Sequence, residues 1–103
     1  MERILITGAN RGIGYELVNQ YLQFDAVQIF AACRTPSKAS TLNALAAKHP
    51  EQLTIVQMDV DDEQSILTAA KTVAAQVDGL DLLINNAAIN PPGEEQVLAT
   101  ITA

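Results

Sequence analysis

The chain has 103 residues with 49% hydrophobic and 4% aromatic content, and a formal net charge of −6 at pH 7. This length predicts one small domain. No stretch approaches the ~18 apolar residues of a membrane span. The acidic composition with few aromatic residues argues against a nucleic-acid partner. A lone cysteine, Cys33, excludes an internal disulfide and is typical of a reducing compartment, so we expect a cytoplasmic protein.

The first predicted elements are an apolar strand over residues 4–6, a glycine-rich turn and a helix over 12–23. The turn carries Gly8, Gly12 and Gly14 in a GxxxGxG spacing. Gly8 is expected to allow the tight turn, Gly12 to let a ligand approach the backbone, and Gly14 to let the helix pack closely on the strand. The N–H groups at the helix start then favour a pyrophosphate. The alternative is a strand–turn–helix that binds no ligand.

A second buried strand is predicted over residues 27–32, and Cys33 and Arg34 follow it. A dinucleotide fold that binds NAD carries an acidic residue at this place, where it hydrogen-bonds the ribose 2′-OH. Neither residue 33 nor residue 34 is acidic. Arg34, together with Arg11 in the glycine turn, instead favours the 2′-phosphate of NADP, because guanidinium groups bind phosphate through charge-assisted hydrogen bonds. The alternative is that both arginines are solvated loop charges.

The rest of the chain alternates between amphipathic and apolar stretches. These predict a helix near 38–48, a strand over 53–58, a helix near 62–77 and a strand over 80–85. Ser37 or Ser40 is expected to cap the earlier helix, and Asp61 or Asp62 to open the later one. The β-α-β-α-β-α-β order predicts an α/β, Rossmann-type doubly wound fold. Its parallel sheet of about four strands has the order 3-2-1-4, with three main helices on both faces.

Three motifs, in this order and at this spacing, resemble the short-chain dehydrogenase/reductase family. They are its cofactor signature at residues 7–14, its adenine-contact pair at 59–60, and its Asn-Asn-Ala-Gly element at 85–88, where Ala88 replaces the glycine. The resemblance covers about residues 3–90, and the surroundings of Arg11 and Arg34 are similar to the C-factor and sniffer-type carbonyl reductases. It implies an NADP-binding Rossmann half over residues 1–90 and a C-terminal tail over 91–103.

The resemblance also implies which residues bind the dinucleotide cofactor. These are Gly8, Asn10, Arg11, Gly12, Ile13, Gly14, Arg34, Asp59, Val60, Asn86, Ala87 and Ala88. The alternative for Asn85 and Asn86 is a partly structural role, because asparagines at strand ends commonly form hydrogen bonds with nearby backbone groups. A metal site is not expected, because His49 has no cluster of Cys, His or acidic residues at ligand spacing around it.

The family reaction is hydride transfer between NADPH and a carbonyl or alcohol substrate, and the resemblance implies that a serine and a Tyr-x-x-x-Lys pair carry it out. This sequence contains only Tyr15 and Tyr21, and Asn19 and Asp25 stand four residues after them. We therefore expect no catalytic residue and no hydride transfer from this chain alone. A non-catalytic dinucleotide-binding module and an inactive, unstable remnant are the alternatives.

The fourth strand is expected to lie at an open edge of the sheet. Its apolar residues Leu82, Leu83 and Ile84 would then have unpaired backbone groups beside them. A bare apolar edge is a site where strands of different molecules pair. We therefore expect self-association through this edge.

Overall fold

The computed structural model describes residues 2–86, which contain one parallel sheet with the strand order β3-β2-β1-β4. The strands are β1 (Glu2–Ile6), β2 (Val27–Cys33), β3 (Leu53–Gln57) and β4 (Leu82–Ile84). The helices are α1 (Gly12–Tyr21), α2 (Ser40–Lys48) and α3 (Glu63–Ala74), and a 3-10 turn covers Pro36–Lys38. The predicted Rossmann-type fold and strand order are confirmed. The predicted tail over 91–103 lies outside the described residues.

Hydrophobic side chains cover the sheet on both faces, because successive residues of a strand point to opposite sides. Ile4 and Ile29 point to the face that α1 and α2 cover, whereas Leu5 and Phe30 point to the face that α3 covers. The helices contribute buried residues to these faces: Val18, Leu42 and Leu45 to the first, and Ile66, Ala69 and Val73 to the second. The two central strands β1 and β2 are therefore fixed in register by packing on either side.

The start of α2 differs from the prediction. Residues 36–38 form a separate 3-10 turn, in which the Pro36 carbonyl accepts a hydrogen bond from Nδ2 of Asn43 at 2.8 Å. The helix begins only at Ser40, its N-cap is Ala39, and no side chain caps it there. The prediction that Ser37 or Ser40 caps this helix is therefore wrong, because Ser37 lies within the proline-containing turn and Ser40 is already the first residue of the helix.

The start of α3 agrees with the prediction, but its end does not. Asp62 is the N-cap, and its side chain accepts a hydrogen bond from the backbone N–H of Gln64 at 3.0 Å. The helix ends at Ala74, before the predicted residue 77. In residues 2–86, no helix has the length and hydropathy needed to cross a membrane. No group of three or more potential metal-ligating side chains occurs in the same range.

Candidate cofactor site

The loop between β1 and α1 adopts the conformation that its glycines allow. Gly8 has φ of 61° and Gly12 has φ of 60°, a left-handed region in which residues with a Cβ are strained. Between them, the backbone N–H of Ala9 donates to the carbonyl oxygen of Ala32 at 3.1 Å. This bond fixes the loop against the end of β2, at the carboxyl edge of the sheet, where ligands bind in open α/β folds.

Gly14 and Gly12 occupy their positions for different structural reasons. A Cβ on Gly14 would collide with the backbone carbonyl oxygen of Gly8, and it would lie 2.6 Å from Nδ2 of Asn86. Gly14 is therefore needed for the close packing of α1 on the loop and on Asn86, which follow β1 and β4, whereas the prediction placed this packing on the strand itself. A Cβ on Gly12 would meet nothing within 4 Å, so this residue borders open space. The backbone at Gly12 is thus accessible to a ligand.

The end of β4 is bonded to the end of β1 through Thr7, which is 1% exposed. The Thr7 hydroxyl donates to Oδ1 of Asn85 at 3.1 Å and accepts from the backbone N–H of Asn86 at 3.0 Å. Nδ2 of Asn86 also donates to the Gly8 carbonyl oxygen at 3.4 Å. The asparagine pair therefore holds the glycine loop in place. This is the structural role that the sequence analysis gave as an alternative for Asn85 and Asn86.

The amino end of α1 faces this loop without a negative group of its own. Arg11 is the N-cap residue with an extended backbone, and it makes no side-chain capping bond. The first turn of the helix contains no acidic residue. The N–H groups of this turn and the positive end of the helix dipole therefore favour an external anion.

A cavity of about 580 Å³ opens at this edge, within the range of ligand pockets. Its walls include eight of the predicted binding residues: Gly8, Asn10, Arg11, Gly12, Arg34, Asp59, Val60 and Asn86. Ile13 and Gly14 follow directly at the start of α1, where the Ile13 side chain is 71% exposed and Gly14 is buried. Ala87 and Ala88 lie outside the described residues.

The cavity also contains residues that the sequence analysis did not single out. Thr35 and Lys38 line it, because the 3-10 turn after β2 returns the chain toward the sheet edge. Lys38 is thus a third exposed cation in these walls beside Arg11 and Arg34. Its position only four residues after Arg34 could have indicated a place near the site. We did not consider it because residue 38 was assigned to the predicted helix over 38–48.

Asp59 forms part of the opposite wall and is held by its own loop. Its backbone N–H donates to Oγ of Ser65 at 2.9 Å, and its Oδ1 accepts from the N–H of Asp61 at 3.0 Å. Its carbonyl oxygen accepts from the N–H of Asp62 at 3.0 Å. These bonds fix the turn that joins β3 to α3, so that the Asp59-Val60 pair has a defined place in the cavity.

Cys33 lies in the cavity wall, but its chemistry is that of a packing residue. The side chain is buried, and burial raises the pKa of its thiol, although a backbone hydrogen bond at Thr35 acts in the opposite direction. A thiol with a raised pKa carries little thiolate at neutral pH and is a poor nucleophile. Cys33 is therefore a small buried residue at the end of β2.

Solved structures with this architecture include carbonyl reductases. An NADPH-bound carbonyl reductase from chicken fatty liver is 35% identical with a TM-score of 0.88, and the match covers 99% of this chain and 47% of that protein. Carbonyl reductase Sniffer of D. melanogaster is 33% identical with a TM-score of 0.77, and the match covers 88% of this chain and 38% of that protein.

The relatives found by sequence are also oxidoreductases. An uncharacterised oxidoreductase of Schizosaccharomyces pombe is 40% identical over 84 residues, which are 82% of this chain and 33% of that protein. The 3-keto-steroid reductase/17-beta-hydroxysteroid dehydrogenase 7 of Rattus norvegicus is 43% identical over 91 residues, which are 85% of this chain and 27% of that protein. The chain thus spans about a third of the length of these curated relatives. The family model for short chain dehydrogenases matches residues 2–101, and the chain belongs to this family.

Proposed function

We propose that residues 1–90 form the NADP(H)-binding half of a short-chain dehydrogenase/reductase, with residues 91–103 as a C-terminal tail. The observation that carries this proposal is the cavity at the carboxyl edge, where Arg11 and Arg34 lie beside the glycine loop and the uncapped start of α1. The family reaction is hydride transfer between NADPH and a carbonyl or alcohol substrate, in which the bound cofactor supplies or accepts the hydride.

The residues of the cavity fit the parts of a dinucleotide. The pyrophosphate would lie against Gly12 and the first N–H groups of α1, where a Cβ would meet open space. The adenine would lie between the loop and Asp59-Val60. Asn10, Ile13, Gly14, Asn86, Ala87 and Ala88 complete the proposed binding set, and Gly8 shapes the turn beneath it.

The choice between NADPH and NADH depends on the end of β2. Arg34 follows this strand and lines the cavity, and no acidic residue stands at positions 33 or 34 to bind a free 2′-OH. Arg11 and Lys38 lie in the same walls. We expect NADPH to be preferred, because each charge-assisted contact to the 2′-phosphate contributes about 1.5–3 kcal/mol. The NADPH-bound carbonyl reductase from chicken supports this proposal.

The test is a titration of the purified protein with NADPH and NADH. Wild type should bind NADPH at least about tenfold more tightly, and Arg34→Ala should remove most of this difference by weakening NADPH alone. Lys48→Ala, which removes a cation at the end of α2, is the matched control and should leave both affinities unchanged. Equal wild-type affinities for the two cofactors would contradict the proposed preference.

A further inference from the structure

Side-chain hydrogen bonds connect two walls of the cofactor cavity. Gln57, the last residue of β3, donates from Nε2 to the carbonyl oxygen of Arg34 at 3.1 Å. The Oε1 of Gln57 accepts from the hydroxyl of Ser65 in α3 at 3.2 Å, and Ser65 Oγ accepts from the N–H of Asp59 at 2.9 Å. Arg34 and Asp59, both in the cavity walls, are therefore joined through two side chains that do not line it.

The direction of each bond in this connection is determined by chemistry. The Asp59 N–H can only donate and the Arg34 carbonyl can only accept. The Arg34 carbonyl therefore requires Nε2 of Gln57 to face it, which directs Oε1 of the same amide to Ser65. Because Oε1 can only accept, the Ser65 hydroxyl donates its single proton to it. The hydroxyl of Ser65 thus stabilises the amide orientation in which Gln57 restrains the Arg34 backbone.

We propose that Gln57 and Ser65 are positioning residues for recognition of the 2′-phosphate, an inference that rests on the proposed NADP(H) site. Arg34 is exposed and follows directly after β2, so its backbone is the part of the residue that the fold can restrain. With its carbonyl bonded to Gln57, the guanidinium samples fewer directions before the cofactor binds. A preorganised group loses less conformational entropy on binding, which raises the affinity for the phosphate it contacts.

The chain contains a matched control at the other end of the same strand. Gln52, which precedes β3, donates from Nε2 to the carbonyl oxygen of Phe24 at 3.0 Å. This is the same type of bond between a glutamine amide and a loop carbonyl. Gln52 and Phe24 are not among the residues that line the cavity. Replacing either glutamine by methionine removes one such bond and keeps the length of the side chain.

The experiment measures Kd for NADPH and NADH with these variants of the full chain. Gln57→Met should raise Kd for NADPH about three- to tenfold and Kd for NADH less than about twofold. Gln52→Met should leave the ratio of the two constants unchanged. Ser65→Ala should raise Kd for NADPH by a similar or smaller factor than Gln57→Met, and Ser65→Thr, which keeps the hydroxyl, should restore NADPH binding. Circular dichroism and thermal melting verify that each variant is folded.

A double-mutant cycle shows whether Gln57 acts through Arg34. In an Arg34→Ala background, Gln57→Met should have no further effect on NADPH binding. An equal loss for both cofactors in Gln57→Met, or a full additional loss in the Arg34→Ala background, overturns the inference. If Arg34→Ala removes the NADPH preference but Gln57→Met retains it, the role of Gln57 is refuted and the proposed NADP(H) site stands. If wild type binds neither cofactor, the proposed function fails and the inference fails with it.

Discussion

The hydroxyl of Thr7 accepts a hydrogen bond from the backbone N–H of Asn86 at 3.0 Å, across the boundary between β1 and β4. The Thr7 side chain is buried, and Asn86 is half-buried. We expect Thr7→Val, which has nearly the same shape, to lower the free energy of unfolding by about 1–3 kcal/mol, because it removes the acceptor from this N–H. Urea denaturation measures the change. Thr7→Ser keeps the hydroxyl and should lose less; an equal loss would mean that the methyl group of Thr7 contributes as much to stability as its hydroxyl.

Gly14 and Gly12 should respond differently to alanine. At Gly14 the new Cβ would collide with the Gly8 carbonyl, so we expect a loss of about 1–3 kcal/mol in the free energy of unfolding. Gly12→Ala meets no atom but has a positive φ, which costs about 1–2 kcal/mol, and its main effect should be weaker cofactor binding. Gly79→Ala, with open space around it, is the control and should change stability by less than ~1 kcal/mol. A larger stability loss at Gly12 than at Gly14 would contradict this explanation.

The fold could be predicted from the sequence because its determinants are local and repeated. The apolar runs of β1 and β2 are buried on both faces, so the residues of each run are hydrophobic without alternation, and the intervening amphipathic stretches indicate parallel connections. The glycine spacing likewise indicated the β1–α1 turn. These patterns do not depend on the exact orientation of any one side chain.

The missed features depend on how short segments turn and on which bonds side chains select. Lys38 enters the cavity only because Pro36 begins a 3-10 turn, whereas helical periodicity alone assigned that segment to α2. The bonds of Gln57 with Ser65 join residues whose types permit many other partners. No sequence pattern selects among those partners.

The ion pair of Arg3 with Asp81 predicts a dependence of stability on pH. The Asp81 carboxylate accepts from the N–H of Arg3 at 2.8 Å and from its Nε at 3.1 Å. The side-chain hydrogen bond from Arg3 is the main cause that lowers the pKa of Asp81. A lowered folded-state pKa means that the stabilisation is present above the unfolded pKa of about 3.9 and disappears as pH falls through the folded value.

We therefore expect Asp81→Asn to be less stable than wild type at neutral pH and to approach it below about pH 4. The effect should be small and decrease with salt, because both side chains of the pair are partly exposed to solvent. Urea midpoints of both proteins at several pH values measure it. Asp25→Asn, in the exposed turn before β2, is the control. A difference between Asp81→Asn and wild type that widens in acid would refute the assignment.

Self-association through β4 remains a prediction. In the sheet of residues 2–86, β4 pairs with β1 on one side, and Leu82, Leu83 and Ile84 are half-buried. We expect the apparent mass in analytical ultracentrifugation to exceed that of a monomer and to fall on dilution, and Leu82→Lys to shift the protein toward the monomer. Leu67→Lys, which replaces an exposed leucine of α3, is the matched control. Monomeric wild type at high concentration would contradict the prediction.

We also expect the 103-residue polypeptide to catalyse no hydride transfer. A proton must reach the carbonyl oxygen as the hydride arrives, which requires a positioned acid with a suitable pKa. Both tyrosines of the chain lie in α1, and the residues four positions later are Asn19 and Asp25. NADPH oxidation with small quinones, aldehydes and ketones measures the activity. Turnover above background that disappears in Gly12→Val would show that this polypeptide is an enzyme.

The strand order has a consequence for folding during synthesis. Ile4 of β1 pairs with Ile29 of β2 on one side and with Leu82 of β4 on the other, about fifty residues later along the chain. At a synthesis rate of about 5–20 residues per second, one side of β1 waits several seconds longer than the other for its partner. During that interval β1, an inner strand of the native sheet, is an edge strand. A nascent chain that stalls in this interval exposes the edge of β1, with its apolar residues Ile4, Leu5 and Ile6, to aggregation.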